Sequence, residues 1–165
     1  RTFSRMDQAE LQYADLNQEI ERALTLMEPR FRNEISVERE FGDLPRVRCY
    51  AAQLNQVILN LLMNACDALE GKGEIAIRTL PVDRGVRVEI EDDGPGIPAD
   101  QVDVILQRGR RMDESVPGQG IGLSMASEII TLYGGELSFD TSTLGGTLIR
   151  VIFHPAPQVE LGQRP

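Results

Sequence analysis

Residues 54–69 read LNQVILNLLMNACDAL, and the apolar positions Leu54, Val57, Ile58, Leu61, Leu62, Ala65 and Leu69 recur at steps of three and four. That spacing predicts a helix with one buried stripe. Off the stripe, Gln56, Asn60 and Asn64 stand four residues apart, so their amides share one helix face. Carboxamides are mediocre helix formers and gain nothing from burial without partners. The amide row is therefore either a solvated face or a polar wall turned toward a ligand.

The chain around this helix has 165 residues, enough for one domain with a real core. Apolar residues make up 41% and charged residues 26%, as in an ordinary globular protein. No apolar run approaches the roughly 18 residues of a membrane span, and no signal-peptide pattern opens the chain. A net charge of −9 gives no electrostatic reason to bind nucleic acid. An anionic small ligand remains open, because backbone amides and a few local cations can hold phosphate against the global field. Cys49 and Cys66 lack a CxxC spacing and read as reduced thiols. With His154 the only histidine, a metal site built from His and Cys is not expected.

Outward from the helix, residues 1–16 read as a linker from a missing upstream domain. Residues 17–155 read as the domain proper, and 156–165 as a flexible tail. A second helical pattern starts at Asn17, as cap, and ends at Pro29. EISVEREF and RVRCY read as strands. The central helix stops near Gly71, a suitable left-handed cap. GEIAIRTL and GVRVEIED alternate with period two and predict a hairpin about Pro81–Gly85. A short helix (QVDVILQ) leads into RGRRMDESVPGQ, which has no periodicity. A third helix runs from about Ile121 to Tyr133, and ELSFDTS and GTLIRVIFH close the chain as strands about Leu144-Gly145-Gly146. The order predicts a two-layer α/β sandwich, with a mixed sheet of about five strands covered on one face by about three helices.

Two glycine loops carry the chemistry. In DDGPGIP, Asp92 ends a strand, and Gly94 and Gly96 permit a turn that side chains would block. A carboxylate there can accept a hydrogen bond from an exocyclic amine such as adenine N6; the plainer reading is an acidic hairpin exit. GQGIGL (Gly118, Gln119, Gly120, Ile121, Gly122, Leu123) opens a helix, where backbone N–H groups can approach a phosphate chain. It is neither a Rossmann fingerprint nor a P-loop, and alone it is equally a hinge. Arg108, Arg110 and Arg111 precede it. They form either a mobile cationic arm for a γ-phosphate or a solvated run balanced by Asp113 and Glu114.

NLLMNACDA, DDGPGIP, GQGIGL and GGTLIRV, in that order, resemble the N, G1, G2 and terminal Gly/Thr boxes of the ATP-binding domain of sensor histidine kinases. That domain belongs to the Bergerat-fold superfamily of DNA gyrase B, Hsp90 and MutL, and the stretch VILQRGRRMDESVPGQGIGL is similar to the lid of PhoQ-like sensor kinases. The resemblance covers about residues 17–154 and implies ATP and Mg²⁺ as cofactors. It implies that Asn64 supplies an amide oxygen to Mg²⁺, that Asn60 lines the same wall, and that Asp92 holds adenine N6 in a pocket shaped by Gly94, Gly96 and Ile97. Gly118 to Leu123 would wrap the phosphates, Thr147 would support the adenine side, and Arg108 or Arg111 would reach phosphate from the lid. Asp67 and Ala68 stand where many such kinases have a basic residue followed by an aromatic one. Asp67 thus falls at a nucleotide-lining position without the usual cation. Leu106 and Val116 are further departures, in the lid.

The resemblance further implies transfer of the γ-phosphoryl to a histidine on a separate dimerisation domain, with a response regulator downstream. Nothing in the chain matches an H-box, and His154 reads as structural. Relatives that hydrolyse ATP usually carry a general-base glutamate where this chain has Asn60, and an amide cannot take that proton. The alternatives are a self-contained ATPase switch and a nucleotide-sensing binding module without catalysis. The expected fragment is a cytoplasmic monomer, and its parent a homodimer of a kind often anchored in the bacterial inner membrane.

Overall fold

A computed structural model of the chain describes residues 11–101 and 121–154. In order these form β1 (Leu11–Ala14), α1 (Leu16–Phe31), β2 (Ile35–Phe41), β3 (Val47–Tyr50), α2 (Ala51–Leu69), β4 (Gly73–Val82) and β5 (Gly85–Asp92). A single 3₁₀ turn (Ala99–Gln101), α3 (Ile121–Leu132), β6 (Glu136–Thr141) and β7 (Thr147–Phe153) follow. The main sheet has the order β2-β4-β5-β7-β6, parallel between β2 and β4 and antiparallel elsewhere. The expected two-layer α/β sandwich, with five strands in its mixed sheet and three helices, is present.

The stripe on α2 is buried as its spacing predicts, from Leu54 to Leu69. Tyr50, at the helix N-cap, makes no side-chain cap bond. Each large aliphatic side chain buried is worth about 2 kcal/mol, so the stripe rather than the caps holds this helix. Leu54, Val57, Leu61 and Leu62 share one core cluster, and line one apolar space, with Ile77 of β4, Val88 and Ile90 of β5, and Val151 and Phe153 of β7. No helix among the described residues is long and apolar enough to cross a membrane.

Four local readings need correction. The expected linker ends early: Leu11–Ala14 pairs antiparallel with β3, and Ala14 and Leu16 are buried. The segment is too short and too polar to announce a strand, and its pairing with β3 supplies the order. Helix α1 is capped by Asp15, which accepts from Gln18 N, rather than by Asn17. Asn17 instead donates to Gly42 O (2.9 Å) and accepts from the Thr79 hydroxyl (2.8 Å), tying α1 to the sheet. Pro29 does not stop α1, which continues to Phe31. A proline so near the end removes one helical bond, and burial of Phe31 in the core offsets that. At the end of α2 the left-handed cap is Glu70 (φ 54°), with Gly71 (φ 95°) following it.

Away from the helices, the sheet carries an ion ladder. Arg78 of β4 donates to Glu89 (2.9 Å) and to Glu91 of β5, and Arg150 of β7 donates to Glu89 (3.3 Å). Glu89 and Glu91 are only 7% and 2% exposed. Burial pushes both carboxyls up, but the hydrogen bonds and nearby arginines outweigh it and hold both below the ordinary value. Their stabilisation is therefore complete above the ordinary glutamate pKa, about 4.3, and is lost as pH falls through the depressed values. Urea midpoints should stay level from neutral pH to about 5 and fall steeply below about 4. In Glu89→Gln that acid slope should flatten; an unchanged slope would show that the ladder contributes no pH dependence.

Candidate functional site

The end of β5 sets the site. Successive strand residues point to opposite faces, so Glu91 faces the ladder while Asp92 faces the helix layer. Asp92 is 1% exposed. Its Oδ1 accepts from Gly94 N (2.9 Å) and from Thr147 N (3.3 Å), and its carbonyl accepts from Gly146 N (3.1 Å). No described residue donates to Oδ2. Burial pushes the Asp92 carboxyl above its ordinary value, the Gly94 and Thr147 N–H groups oppose that in part, and Asp93 and Glu91 add to it. Among the described residues this buried carboxylate has one oxygen tied and the other open to a further donor.

Backbone packing brings α2 to this carboxylate. A Cβ added to Gly94 would lie 3.0 Å from Ala68 O and 3.3 Å from Ala68 Cβ. The turn after β5 therefore rests on the last turn of α2. Ala68 follows Asn64 by one turn and Asn60 by two, so the amide row leads away from Asp92 in steps of about 6 Å. Asn60 Nδ2 is buried without a hydrogen-bond partner. Asn64 is half-buried, and its side chain bonds no described residue. A buried polar group left unpaired costs about 1–3 kcal/mol, which a ligand oxygen would remove. Of the two readings of the row, the polar wall is the one these positions favour. Gln56, at its far end, is exposed.

The β6–β7 loop closes the other side. Gly146 packs on the turn so tightly that an added Cβ would lie 2.5 Å from Asp92 O and 2.6 Å from Gly94 N. Thr147 is 4% exposed, Ile97 is half-buried, and Gly96 takes φ 82° beside Gly146. Asp92, Gly94, Gly96, Ile97 and Thr147 thus gather at one end of the sheet, with Asn64 and Asn60 on the helix above.

Other expected residues fall elsewhere. The Asp67 carboxylate is taken by Arg30 of α1 at 2.7 Å, so an ion pair between helices occupies it rather than the pocket. Leu123 is 2% exposed and belongs to the core, because it lies on the inward stripe of α3. Ile121 and Gly122 form the first turn of α3. Arg108, Arg111, Gly118, Gln119 and Gly120 lie outside the described residues, as do the lid departures Leu106 and Val116. His154 lies beyond β7 and its Nδ1 donates to Arg84 O at 3.0 Å, a structural contact. Burial raises the Cys49 thiol to about 11, with Glu19 adding to it, and burial likewise raises Cys66; both are free. Among the described residues no three His, Cys, Asp or Glu side chains cluster as metal ligands.

Sequence reasoning missed Gly146, Glu91 and Ser142 as parts of this construction. Gly145-Gly146 was visible as a turn. Nothing local signals that Gly146 meets a residue more than fifty positions earlier.

Comparison with known proteins bears on the family and the fold. Residues 49–158 match the family described as histidine kinase-, DNA gyrase B-, and HSP90-like ATPase. The two-component sensor PhoQ of Pseudomonas aeruginosa is 41% identical over 119 residues, covering 72% of this chain and 26% of that protein. The sensor protein PhoQ of Escherichia coli K12 is 43% identical over 108 residues, or 64% of this chain and 22% of that protein. The chain thus spans about a quarter of the length of these relatives. Among solved structures, the nucleotide-free catalytic domain of histidine kinase ThkA superposes with TM-score 0.80 at 26% identity, covering 90% of this chain and 98% of that one. The mycobacterial sensor histidine kinase MprB superposes at 0.74 with 28% identity and the same coverage. The protein belongs to the histidine kinase, DNA gyrase B and HSP90-like ATPase family, on its PhoQ-like sensor kinase side.

Proposed function

We propose that this chain is the ATP-binding catalytic module of a two-component sensor histidine kinase, presenting the γ-phosphoryl of ATP to a histidine on a separate dimerisation domain. The observation that carries the reading is the pairing of Asp92, whose Oδ1 is fixed by two backbone N–H groups while no described residue donates to Oδ2. Oδ2 accepts from the adenine N6 amine. Guanine presents a carbonyl oxygen there and is repelled. Gly94, Gly96, Ile97 and Gly146 give the base a close backbone seat, and Thr147 closes its side.

Asn60 and Asn64 carry the phosphate end. The Asn60 amide donates through its unpaired Nδ2 to a phosphate oxygen. The Asn64 amide oxygen suits Mg²⁺, which takes few protein ligands and completes its shell with phosphate and water. Mg²⁺ when bound neutralises phosphate charge. The chain's own residues orient the nucleotide, and Asn60, where hydrolysing relatives carry a glutamate, cannot take a proton from water. That favours transfer to a protein acceptor over hydrolysis, with positioning as the main contribution. By the resemblance, Gly118, Gly120 and Gly122 would wrap the phosphates, and Arg108 or Arg111 would reach them. The acceptor histidine lies on the dimerisation domain of the same kinase, which functions as a homodimer, and a response regulator receives the phosphoryl group. Its use of ATP fits a cytoplasmic module, in a parent of a kind often anchored in the bacterial inner membrane. A non-catalytic nucleotide sensor is the second reading, favoured by Asp67, whose side chain brings no cation to the wall and is itself neutralised by Arg30.

The test combines binding with transfer. Mixed with ATP, Mg²⁺ and a dimerisation domain from a PhoQ-type relative, the module should label that domain with acid-labile phosphohistidine. Asn64→Ala should abolish the gain in ATP affinity on adding Mg²⁺. Tight ATP binding without any transfer would hand the site to the sensor reading.

A further inference from the structure

The ladder face and the pocket face meet at two consecutive residues of β5, and the outward one has no part in the reading above. Glu91 Oε1 accepts from the Ser142 hydroxyl (2.6 Å), Thr143 N (3.1 Å) and the Thr143 hydroxyl (3.3 Å), while Oε2 accepts from Arg78. Those donors open the β6–β7 loop. The loop is closed internally by Leu144 N on the Ser142 hydroxyl (2.8 Å), Gly145 N on Ser142 O (3.0 Å) and Ser142 N on Gly146 O (2.9 Å). Its far end is held by Asp92, through Gly146 N and Thr147 N.

We infer that Glu91 is a positioning residue for the nucleotide pocket: from the opposite face of the sheet it clamps the start of the loop whose end fixes the Asp92 carboxylate. The inference rests on the nucleotide reading of Asp92 and deepens it. A loop pinned at both ends to neighbouring residues of one strand cannot shift without moving Gly146 and Thr147. Gly146 N holds the Asp92 carbonyl, and Thr147 N, with Gly94 N, engages Oδ1 of the carboxylate and leaves Oδ2 as the oxygen to be offered. A carboxylate is needed at Glu91 because both its oxygens receive donors. In Glu91→Gln the amide nitrogen must face either the Arg78 guanidinium or the Ser142 and Thr143 donors, and one side opens.

The test compares Glu91→Gln and Ser142→Ala with Glu89→Gln, which alters the same ladder without touching the loop. Affinity for a non-hydrolysable ATP analogue should fall about tenfold in Glu91→Gln and about threefold in Ser142→Ala, the loss expected for one or two hydrogen bonds. In Glu89→Gln it should hold within about twofold, even where its Tm falls as far. Amide exchange at Gly146 and Thr147, measured without nucleotide, should quicken in the first two variants only. Equal affinity loss in Glu91→Gln and Glu89→Gln, or unchanged exchange at Gly146, overturns the inference. Should Glu91→Gln fail to fold, Ser142→Ala carries the same comparison. If the wild type binds no nucleotide, the nucleotide reading fails and the positioning role of Glu91 is overturned with it, even where exchange at Gly146 quickens in Glu91→Gln and shows the loop contact itself to be real.

Discussion

Replacing Asp92 with asparagine should lower affinity for adenine nucleotide about 100-fold, the scale of a lost charge-assisted hydrogen bond in a buried site, and should leave the ligand-free domain at least as stable as wild type. The two effects have one cause. Asp92 is almost wholly buried, and burial raises its carboxyl above the ordinary value. A folded state that binds the proton more tightly than the unfolded chain is destabilised when the group ionises. That penalty is present at neutral pH and fades as pH falls through the raised value. Asparagine keeps an oxygen for Gly94 N and Thr147 N and carries no charge to desolvate. What it loses is the second acceptor, since its Nδ2 would meet the adenine amine donor to donor. Calorimetric titration and thermal unfolding of the same preparations decide the matter. Binding within about threefold of wild type would place adenine elsewhere, and a sharply lowered Tm would make Asp92 a structural residue.

Gly146→Ala should cost about 3 kcal/mol, as severe overpacking does, and Tm should drop by roughly 6–12 °C. The added methyl would meet the Asp92 carboxylate, Asp92 O and Gly94 N. Two of these are backbone atoms of a tight turn and cannot swing away as a long side chain can. Relief requires moving the loop or the turn, and either displaces the Asp92 carboxylate. Affinity for ATP should therefore fall at least about tenfold. The neighbouring Gly145 is the control. It has φ 109° and nothing within 4 Å, so Gly145→Ala meets only backbone strain of about 1–2 kcal/mol. If the two variants unfold at the same temperature, the close seat of Gly146 on Asp92 is not there.

The parts of the site that were legible in the sequence are those with local causes. Asn60 and Asn64 shared a face because a helix repeats every 3.6 residues, and the strength of the apolar stripe beside them made the helix certain. The alternation in β4 and β5 placed Asp92 at a strand end, and the glycines after it announced a turn. Neither feature alone pointed to a ligand; four boxes in order did.

What the sequence determined by itself, then, was the set of elements, their amphipathic faces and the family signature, since each depends on residues within a few positions of one another. Only the tertiary structure decided which groups meet. It put Thr147 on Asp92 across 55 residues and Ser142 on Glu91 across 51, because β7 pairs with the distant β5 on one side as well as with its neighbour β6 on the other. It turned Asp67 to Arg30 across 37 residues, drew Leu123 into the core, and ordered Leu11–Ala14 against β3. Pairing energy in these cases comes from a partner supplied by sheet order, and periodicity within a segment carries no information about that partner.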